Sequence, residues 1–335
     1  MTIVAHSHPF VIGVDTHART HTYTVVVAAT GQRLRTQTFP NTPAGRSRAT
    51  AWAGRCSGGD TSTLWVIECI GTYGARLAHE VAETGYQVVE APKMSAKDRR
   101  GAGKSDSIDS AAIAAAVLPL EESALRLPRQ DDGSRAALRV LITARDQMTE
   151  EHTANVNALT ALLRAHDLGF DARKPLTAPK IREISRWRHR AEPIAAATAR
   201  TEAVRLASRV TELGAAIKAN HARMTEIIQA SPAAPLLDIT GVGAVTAAIV
   251  IAAWSHPGRL RNEAAFASLA GVNPIPASSG NTTRRRLNRG GDRRLNQALH
   301  TATITRMTHD PETRSYVARR ITEGRTKSEI RRCLA

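Results

Sequence analysis

Aromatic residues and cysteines are scarce in this chain of 335 residues. Phe, Trp and Tyr make up only 4% of the sequence, so a hydrophobic core must rely on Ala, Val, Leu and Ile. The three cysteines, Cys56, Cys69 and Cys333, are odd in number and far apart. This arrangement excludes a disulfide framework and shows no metal-ligand spacing. We therefore expect buried free thiols, and with them a reducing, cytoplasmic environment.

Long apolar runs are also missing from the sequence. The longest, at residues 244–253, has about half the length that a helix needs to cross a bilayer. The first residues do not form the pattern of a signal peptide. Both observations agree with a cytoplasmic location and predict no association with a membrane.

Positive charge is abundant and concentrated towards the end of the sequence. Lys and Arg number 46 against 30 acidic residues, which gives a net charge of +16. Residues 255–335 hold 16 basic and 6 acidic side chains, and all but one of these basic residues are Arg. A local field of this kind suits a phosphate backbone, which Arg can bind through two hydrogen bonds. The alternative is a solvated basic tail.

Residues 10–118 show the pattern of an α/β domain. Strand-like runs occupy residues 10–15, 23–29, 33–39, 63–68 and 86–91, and helical segments fall at 43–56, 73–84 and 107–118. Three antiparallel strands followed by alternating helices and strands is the order of a ribonuclease-H-like fold. We therefore predict an α/β N-terminal domain of this type.

The middle of the chain, from about residue 120 to 230, has almost no strand signal. Seven residues follow one another at spacings of four and three: Leu206, Val210, Leu213, Ile217, Asn220, Met224 and Ile227. This spacing is typical of a coiled-coil seam of about three heptads, in which the polar Asn220 would fix register or oligomeric state. A helix within an intramolecular bundle explains the same pattern, and the sequence does not decide between them.

Four carboxylates stand out in the predicted α/β domain. Asp15 lies in or just after the first strand, Glu68 ends a buried strand, and Asp106 and Asp109 share one face at the start of a helix. The predicted sheet would bring all four together. Because clustered carboxylates repel one another unless cations neutralise them, the set predicts a site for Mg²⁺ or Mn²⁺. Two such ions would activate an attacking oxygen and stabilise a leaving one at phosphorus.

Simpler interpretations exist for several of these residues. Asp106 and Asp109 could merely cap a helix and complement its dipole. Glu68 is harder to explain in this way, because a carboxylate at the end of a buried strand needs a partner for its charge. His17 and His21 could join a metal site, but we interpret both as hairpin residues. Glu90 and Asp98 are spare acids to which we assign no role.

A G-V-G turn at residues 241–243 precedes an apolar helix and resembles a helix-hairpin-helix element. Backbone N–H groups at Gly241 and Gly243, beside a helix N-terminus, could hold a phosphate without reading sequence. The alternative is a tight turn into a buried helix.

A second reactive site is suggested by A-S-S-G-N-T-T-R-R-R, where Ser278 and Ser279 precede Gly280. A serine on such a loop could attack phosphorus if a base or metal takes its proton, although the residues by themselves favour a plain Ser/Gly loop. Basic side chains that would contact nucleic acid follow it: Arg284, Arg285, Arg286, Arg289, Arg293 and Arg294.

Five motifs occur in a particular order along almost the whole chain. They are G-V-D-T-H, W-V-I-E-C-I-G-T-Y-G, G-K-S-D-S-I-D, T-G-V-G, and L-A-G-V-N-P-I-P-A-S-S-G-N followed by N-R-G-G-D-R-R-L-N-Q-A-L. Together they resemble the DEDD-type transposases of bacterial insertion sequences, a family of bridge-RNA-guided recombinases. The resemblance covers residues 10 to 320.

The resemblance implies a RuvC-like N-terminal domain whose Asp15, Glu68, Asp106 and Asp109 bind divalent metal. It also implies a nucleophilic serine before glycine, which here is Ser279, and a covalent phosphoserine link to DNA. A structured noncoding RNA would pair with donor and target DNA. The family further implies a tetramer that joins one subunit's carboxylates to another's serine, acting at the bacterial nucleoid.

On this basis we predict a site-specific DNA transposase or recombinase with three domains. These are a catalytic domain at residues 1–119, a helical assembly region at 120–232 and a basic C-terminal domain at 233–335. Two other functions fit the same residues. One is a metal-dependent, junction-resolving nuclease in which water attacks, and the other is a non-catalytic nucleic-acid-binding scaffold.

Overall fold

A computed structural model describes residues 2–92, 105–129, 133–278, 285–286, 288 and 290–334. The chain forms two compact units. The first comprises Met1–Gln130 and Ser255–Ala265, and the second comprises Asp131–Trp254 and Phe266–Ala335. The division into three domains stays a prediction, because this grouping does not test which segments fold independently.

The first unit contains a mixed five-stranded sheet in the order β3-β2-β1-β4-β5. Its strands are β1 (Phe10–Thr16), β2 (Thr20–Val27), β3 (Arg33–Pro40), β4 (Leu64–Ile67) and β5 (Gln87–Glu90). β1 pairs with β2 antiparallel and with β4 parallel, while β3 extends the hairpin and β5 runs parallel to β4. Helices α1 to α4 are Val4–Ser7, Pro43–Cys56, Ala75–Glu83 and Asp106–Val117. The predicted α/β order is confirmed, with strand ends shifted by at most a few residues.

Alternating side chains give the sheet two buried faces. Ile12 and Val14 pack into one core with Trp65 and Ile67, whereas Val11 packs into a second core against α4. Because side chains alternate along a strand, residues 11, 13 and 15 of β1 point to the α4 side. The first core concentrates aromatic rings (Tyr23, Phe39, Trp52 and Trp65), whereas the second is built from aliphatic side chains. The expectation of aliphatic cores therefore holds for the second core only.

The three cysteines are free thiols, as expected, but they are not buried. Cys69 and Cys333 are exposed, because one lies in the turn after β4 and the other in the last turn of α12, and Cys56 is half-buried.

Helices dominate the second unit. In chain order they are α5 (Gly133–Ala165), α6 (Ala178–Ile184), α7 (Ile194–Gln229), α8 (Ala244–Trp254), α9 (Glu263–Ala270, shared with the first unit), α10 (Arg293–His309), α11 (Pro311–Thr322) and α12 (Lys327–Leu334). Two short strands, β6 (Ile275–Pro276) and β7 (Arg285–Arg286), pair antiparallel. None of the helices among the described residues is long and apolar enough to span a membrane.

The two long helices α5 and α7 pack antiparallel within the chain. The Asn220 amide donates a hydrogen bond to the Leu141 carbonyl, and Arg209 pairs with Glu151 further along both helices. Several seam positions are buried in this arrangement, among them Leu206, Val210, Leu213 and Met224. The intramolecular interpretation of the heptad pattern therefore accounts for these positions, while a coiled coil between subunits stays a prediction.

Candidate metal centre

Two parallel strands end at the same edge of the sheet and place Asp15 beside Glu68. Asp15 is the sixth residue of β1, and Glu68 directly follows β4. The Glu68 N–H donates to the Val14 carbonyl at 3.1 Å, and the Thr16 hydroxyl donates to the Glu68 carbonyl at 3.0 Å. The alternation of β4, whose Leu64 and Val66 pack on the α4 side, assigns Glu68 to the same face as Asp15.

The first turn of α4 supplies the other two acids. Ser105 caps this helix by accepting a hydrogen bond from the Ile108 N–H, and Asp106 and Asp109 follow. Because Ser105 is the N-cap, Asp106 and Asp109 do not cap the helix; their charges complement its dipole from the first turn, which is compatible with a role in the site.

Gly13 allows α4 to lie directly on β1. A Cβ atom at this position would stand 2.1 Å from the Ser110 carbonyl oxygen and 2.6 Å from the Ala114 nitrogen. The Ser110 hydroxyl also hydrogen-bonds the Thr24 hydroxyl of β2 at 2.7 Å. These contacts fix the start of α4 above the end of β1, where Asp15 lies.

Asp15, His17 and Asp106 form one cluster of potential metal ligands. One ligand atom from each residue lies within 4.8 Å of the other two. His17 Nε2 stands 3.3 Å from Asp15 Oδ2 and 3.6 Å from Asp106 Oδ1. Asp15 is only 5% exposed, whereas Asp106 and His17 are open to solvent. The cluster is therefore a half-open site with one deeply held carboxylate.

The other three predicted acids all act on Asp15 electrostatically, although only Asp106 joins it in the cluster of potential ligands found among the described residues. Burial raises the pKa of Asp15, and the neighbouring charges of Asp106 and Asp109 raise it further, while His17 and a hydrogen bond with Glu68 lower it. Burying a carboxylate among like charges is unfavourable without a cation. Carboxylate oxygens are the ligands that Mg²⁺ and Mn²⁺ prefer, so the aspartates of the cluster suit the divalent metal expected from the sequence.

His17 was interpreted as a hairpin residue in preference to a metal ligand, and that preference was incomplete. Its N–H does close the hairpin by donating to the Thr20 carbonyl at 3.0 Å, but its ring faces Asp15 and Asp106. The signal was present in the spacing, since residues two apart in an extended strand point to the same face.

The other residues set aside in the sequence have structural contacts. His21 is fully buried, with Nδ1 3.0 Å from the Thr20 carbonyl, and burial lowers its pKa. Glu90 lies 3.6 Å from the buried guanidinium of Arg259. Asp98 lies outside the described residues.

The G-V-G turn packs against a helix of its own unit. Gly241 has a φ of +87°, and a Cβ there would meet the Ala302 carbonyl of α10 at 2.6 Å. The Gly243 carbonyl accepts from the Ala247 N–H in the first turn of α8. Glycine at position 241 thus serves close packing, and phosphate binding by Gly241 and Gly243 stays a prediction.

The predicted serine and its arginines are only partly described. Ser279, Arg284 and Arg289 lie outside the described residues. Arg285 and Arg286 form β7, and Arg286 is exposed. Arg293 begins α10 and is exposed, while Arg294 pairs with Asp146 of α5.

Two family models match this chain. One describes a DEDD-type transposase of IS110 elements and matches residues 12–166, and the other describes the transposase IS116/IS110/IS902 family and matches residues 233–318. Together they cover more than half of the chain.

Two curated relatives come from insertion elements. An uncharacterized 43.6 kDa protein of IS110 from Streptomyces coelicolor is 31% identical over 126 residues, which is 37% of this chain and 31% of the relative. An uncharacterized 42 kDa protein of IS900 from Mycobacterium paratuberculosis is 26% identical over 381 aligned positions, covering 98% of this chain and 93% of the relative.

An α/β domain with clustered acids, followed by a helical remainder, fits a transposase of the DEDD, RuvC-like class. The chain belongs to the IS110 family of insertion-sequence transposases, which are DNA-recombining enzymes.

Proposed function

We propose that this chain cuts and rejoins DNA at the ends of an insertion sequence, with metal held by Asp15, Glu68, Asp106 and Asp109 and with Ser279 as nucleophile. The observation that carries the proposal is the approach of Asp15, Asp106 and His17 within 4.8 Å. Family membership supports DNA as the substrate.

The acids and His17 divide the work at the cluster. Asp15, which is held by the sheet and nearly buried, is the fixed ligand, whereas the exposed Asp106 adjusts from the start of α4. His17 orients both carboxylates through its Nε2. A bound divalent ion would polarise the scissile phosphate and stabilise the leaving oxygen.

The serine step conserves the energy of the broken bond. The Ser279 hydroxyl loses its proton and bonds to phosphorus, and the bridging oxygen of the DNA strand leaves with a proton. The resulting phosphoserine ester is then attacked by a DNA hydroxyl, which restores the serine and joins two strands. Support for Ser279 comes from the family motif in which it stands.

RNA guidance and a tetramer complete the proposal. Both rest on the family resemblance, and a basic surface rich in Arg suits an RNA backbone as well as DNA. The RNA would supply sequence recognition by base pairing.

The metal-dependent part is tested by Asp15→Asn, with the exposed Asp60→Asn as the matched control. Calorimetry with Mn²⁺ should show binding to the wild type and to the control, and at least about tenfold weaker binding to Asp15→Asn. Asp15→Asn should also lose excision of the element from a plasmid, whereas the wild type and Asp60→Asn should retain it. Undiminished excision by Asp15→Asn would contradict the proposed catalytic role and favour a non-catalytic scaffold.

The serine step is tested by trapping a protein–DNA adduct. The wild type should yield an adduct that resists denaturation, and Ser279→Ala should yield none, with Ser278→Ala as the control. Normal cutting by Ser279→Ala without any adduct would establish a nuclease that uses water.

RNA guidance is tested by sequencing the nucleic acid that co-purifies from cells carrying the whole element. One discrete structured RNA is expected, and random fragments would contradict guidance.

A further inference from the structure

A cavity of about 760 Å³ lies within the second unit, away from the acidic cluster in sequence. Its walls come from the turn after α9, from β7, from α10, from the end of α11 and from α12. The lining residues of α11 and α12, from Arg320 to Cys333, lie beyond residue 318, where the family match ends. The volume lies in the range of pockets that bind small ligands or single nucleotides.

Arginines dominate the charge of this cavity. Arg286, Arg320, Arg325, Arg331 and Arg332 line it, against Glu329 as the single lining carboxylate. Arg320 pairs with Glu323, and Arg325 lies 3.9 Å from Glu329. Within the described part of the chain, the other three make no ion pair with an acidic side chain. Guanidinium groups in such excess match a phosphate in geometry and charge.

The rest of the lining suits the base of a nucleotide. The half-buried Val272 offers apolar surface, and Asn273 and Asn296 offer amides. The Asn273 amide oxygen accepts from Asn288, and the Asn296 amide nitrogen donates to the Ala270 carbonyl. Among the described residues, the side-chain nitrogen of Asn273 and the side-chain oxygen of Asn296 make no further hydrogen bond. The two N–H groups of the Asn273 amide and the Asn296 amide oxygen thus remain for the edge of a base.

We propose that this cavity binds one unpaired nucleotide of a single nucleic-acid strand, with its phosphate on Arg331 and Arg332 and its base beside Val272 and Asn296. A base can enter such a cavity only when it has left the stack of a duplex. The inference rests on the proposed function only for the choice of a polynucleotide as ligand. The cavity is lined by residues of the second unit alone, and binding there does not require cutting.

Fluorescence anisotropy in EDTA, with labelled strands of about 15 nucleotides, tests the phosphate contacts. The probes are oligo-dT, oligo-U and the corresponding duplexes. Arg331→Gln combined with Arg332→Gln should weaken binding of the single strand at least about tenfold. The slope of log Kd against log salt should fall by about 0.7 for each lost contact.

The matched control is Arg314→Gln combined with Lys327→Gln, which removes two charges from α11 and α12 outside the cavity lining. It should change Kd less than about threefold. Binding to oligo-dT alone would identify a DNA strand, and binding to oligo-U alone an RNA strand. Equal weakening by the two double variants would overturn the proposal, because it would show a general effect of net charge.

An abasic strand of the same length tests the base contacts. The wild type should bind it several-fold more weakly than oligo-dT or oligo-U, whichever strand it prefers. Ser328→Trp, which fills the cavity, should abolish this difference, and Thr301→Trp on the exposed face of α10 should not. Equal affinity of the wild type for the abasic and normal strands would overturn the nucleotide assignment.

Cys333 lines the cavity and provides a readout in the unaltered protein. A saturating single strand should slow its alkylation by N-ethylmaleimide about fivefold or more, measured by mass spectrometry. An unchanged alkylation rate under saturation would count against the cavity as the binding site. Because EDTA prevents cutting, these results stand whether or not the proposed recombination is correct.

Discussion

Gly13 of β1 lies directly beneath the Ser110 carbonyl of α4, with room for a hydrogen atom and for nothing larger. A Cβ there would approach that oxygen to 2.1 Å. The same contact sets the height of α4 above the sheet, and hence the distance between Asp106 and Asp15.

Gly13→Ala should therefore destabilise the first unit and separate the acids. The helix must shift to admit the methyl group, which costs about 3 kcal/mol. Urea unfolding followed by circular dichroism should show a lower midpoint, and Mn²⁺ binding should weaken. Gly54→Ala is the control, since a Cβ there meets only the Tyr86 hydroxyl at 3.4 Å. Wild-type stability in Gly13→Ala would contradict the observed packing of α4.

Asp15→Asn should stabilise the protein when metal is removed. The buried charge of Asp15 is repelled by Asp106 and Asp109, and the amide removes that repulsion. In EDTA we expect a Tm about 2 °C or more above the wild type. Millimolar Mg²⁺ should raise the Tm of the wild type and leave the variant unchanged. A lower Tm of Asp15→Asn in EDTA would show that the carboxylate is stabilised by its neighbours.

Cys69 should be replaceable by glycine but not by valine. Its φ of +48° lies in the left-handed region, which a β-branched side chain adopts only with strain. Cys69→Val should lose about 1–2 kcal/mol of stability, and Cys69→Gly should lose little or gain. Cys56→Val, in the regular helix α2, is the control. Equal effects of valine at both positions would argue against strain at this turn, which directly follows Glu68.

His21 should make the protein less stable as pH falls below neutral. Burial lowers the pKa of His21 in the folded state beneath its ordinary value of 6.5. The unfolded chain therefore binds the proton first, and stability present above pH 6.5 is lost as the pH falls. Chemical denaturation at pH 7 and pH 5 should show a smaller loss for His21→Gln than for the wild type. The exposed His79→Gln should behave as the wild type, and an identical pH dependence of His21→Gln would contradict the assignment.

Asn220→Leu should leave the subunit count unchanged. The Asn220 amide donates a hydrogen bond to the Leu141 carbonyl of the same chain. Loss of this hydrogen bond therefore affects the packing of α5 on α7 and not the assembly of subunits. Stability should change by about 1 kcal/mol in either direction, because a leucine gains burial while a hydrogen bond is lost. Light scattering at several concentrations measures the mass, with Asn155→Leu as a control on α5. A changed mass for Asn220→Leu alone would support the coiled coil between subunits.

The sequence by itself predicted the strands and helices of the first unit and the four acids. Local signals carried these predictions: alternation defines a strand, and helical spacing places Asp106 and Asp109 on one face. The excess of arginine near the end of the chain likewise led to the prediction of a partner that carries phosphates. Strand alternation, helical spacing and local charge all depend on residues that are close together in the sequence.

Only the tertiary structure decided which distant residues meet. Asp106 joins Asp15 and His17 because α4 rests on Gly13, a contact between residues about a hundred positions apart. The heptad positions of α7 pack against α5 of the same chain. Spacing alone does not predict this, because a helix of the same chain and a helix of another subunit would bury the same side chains. The arginine-lined cavity arises from five separate segments, and no local pattern specifies how such segments enclose a space.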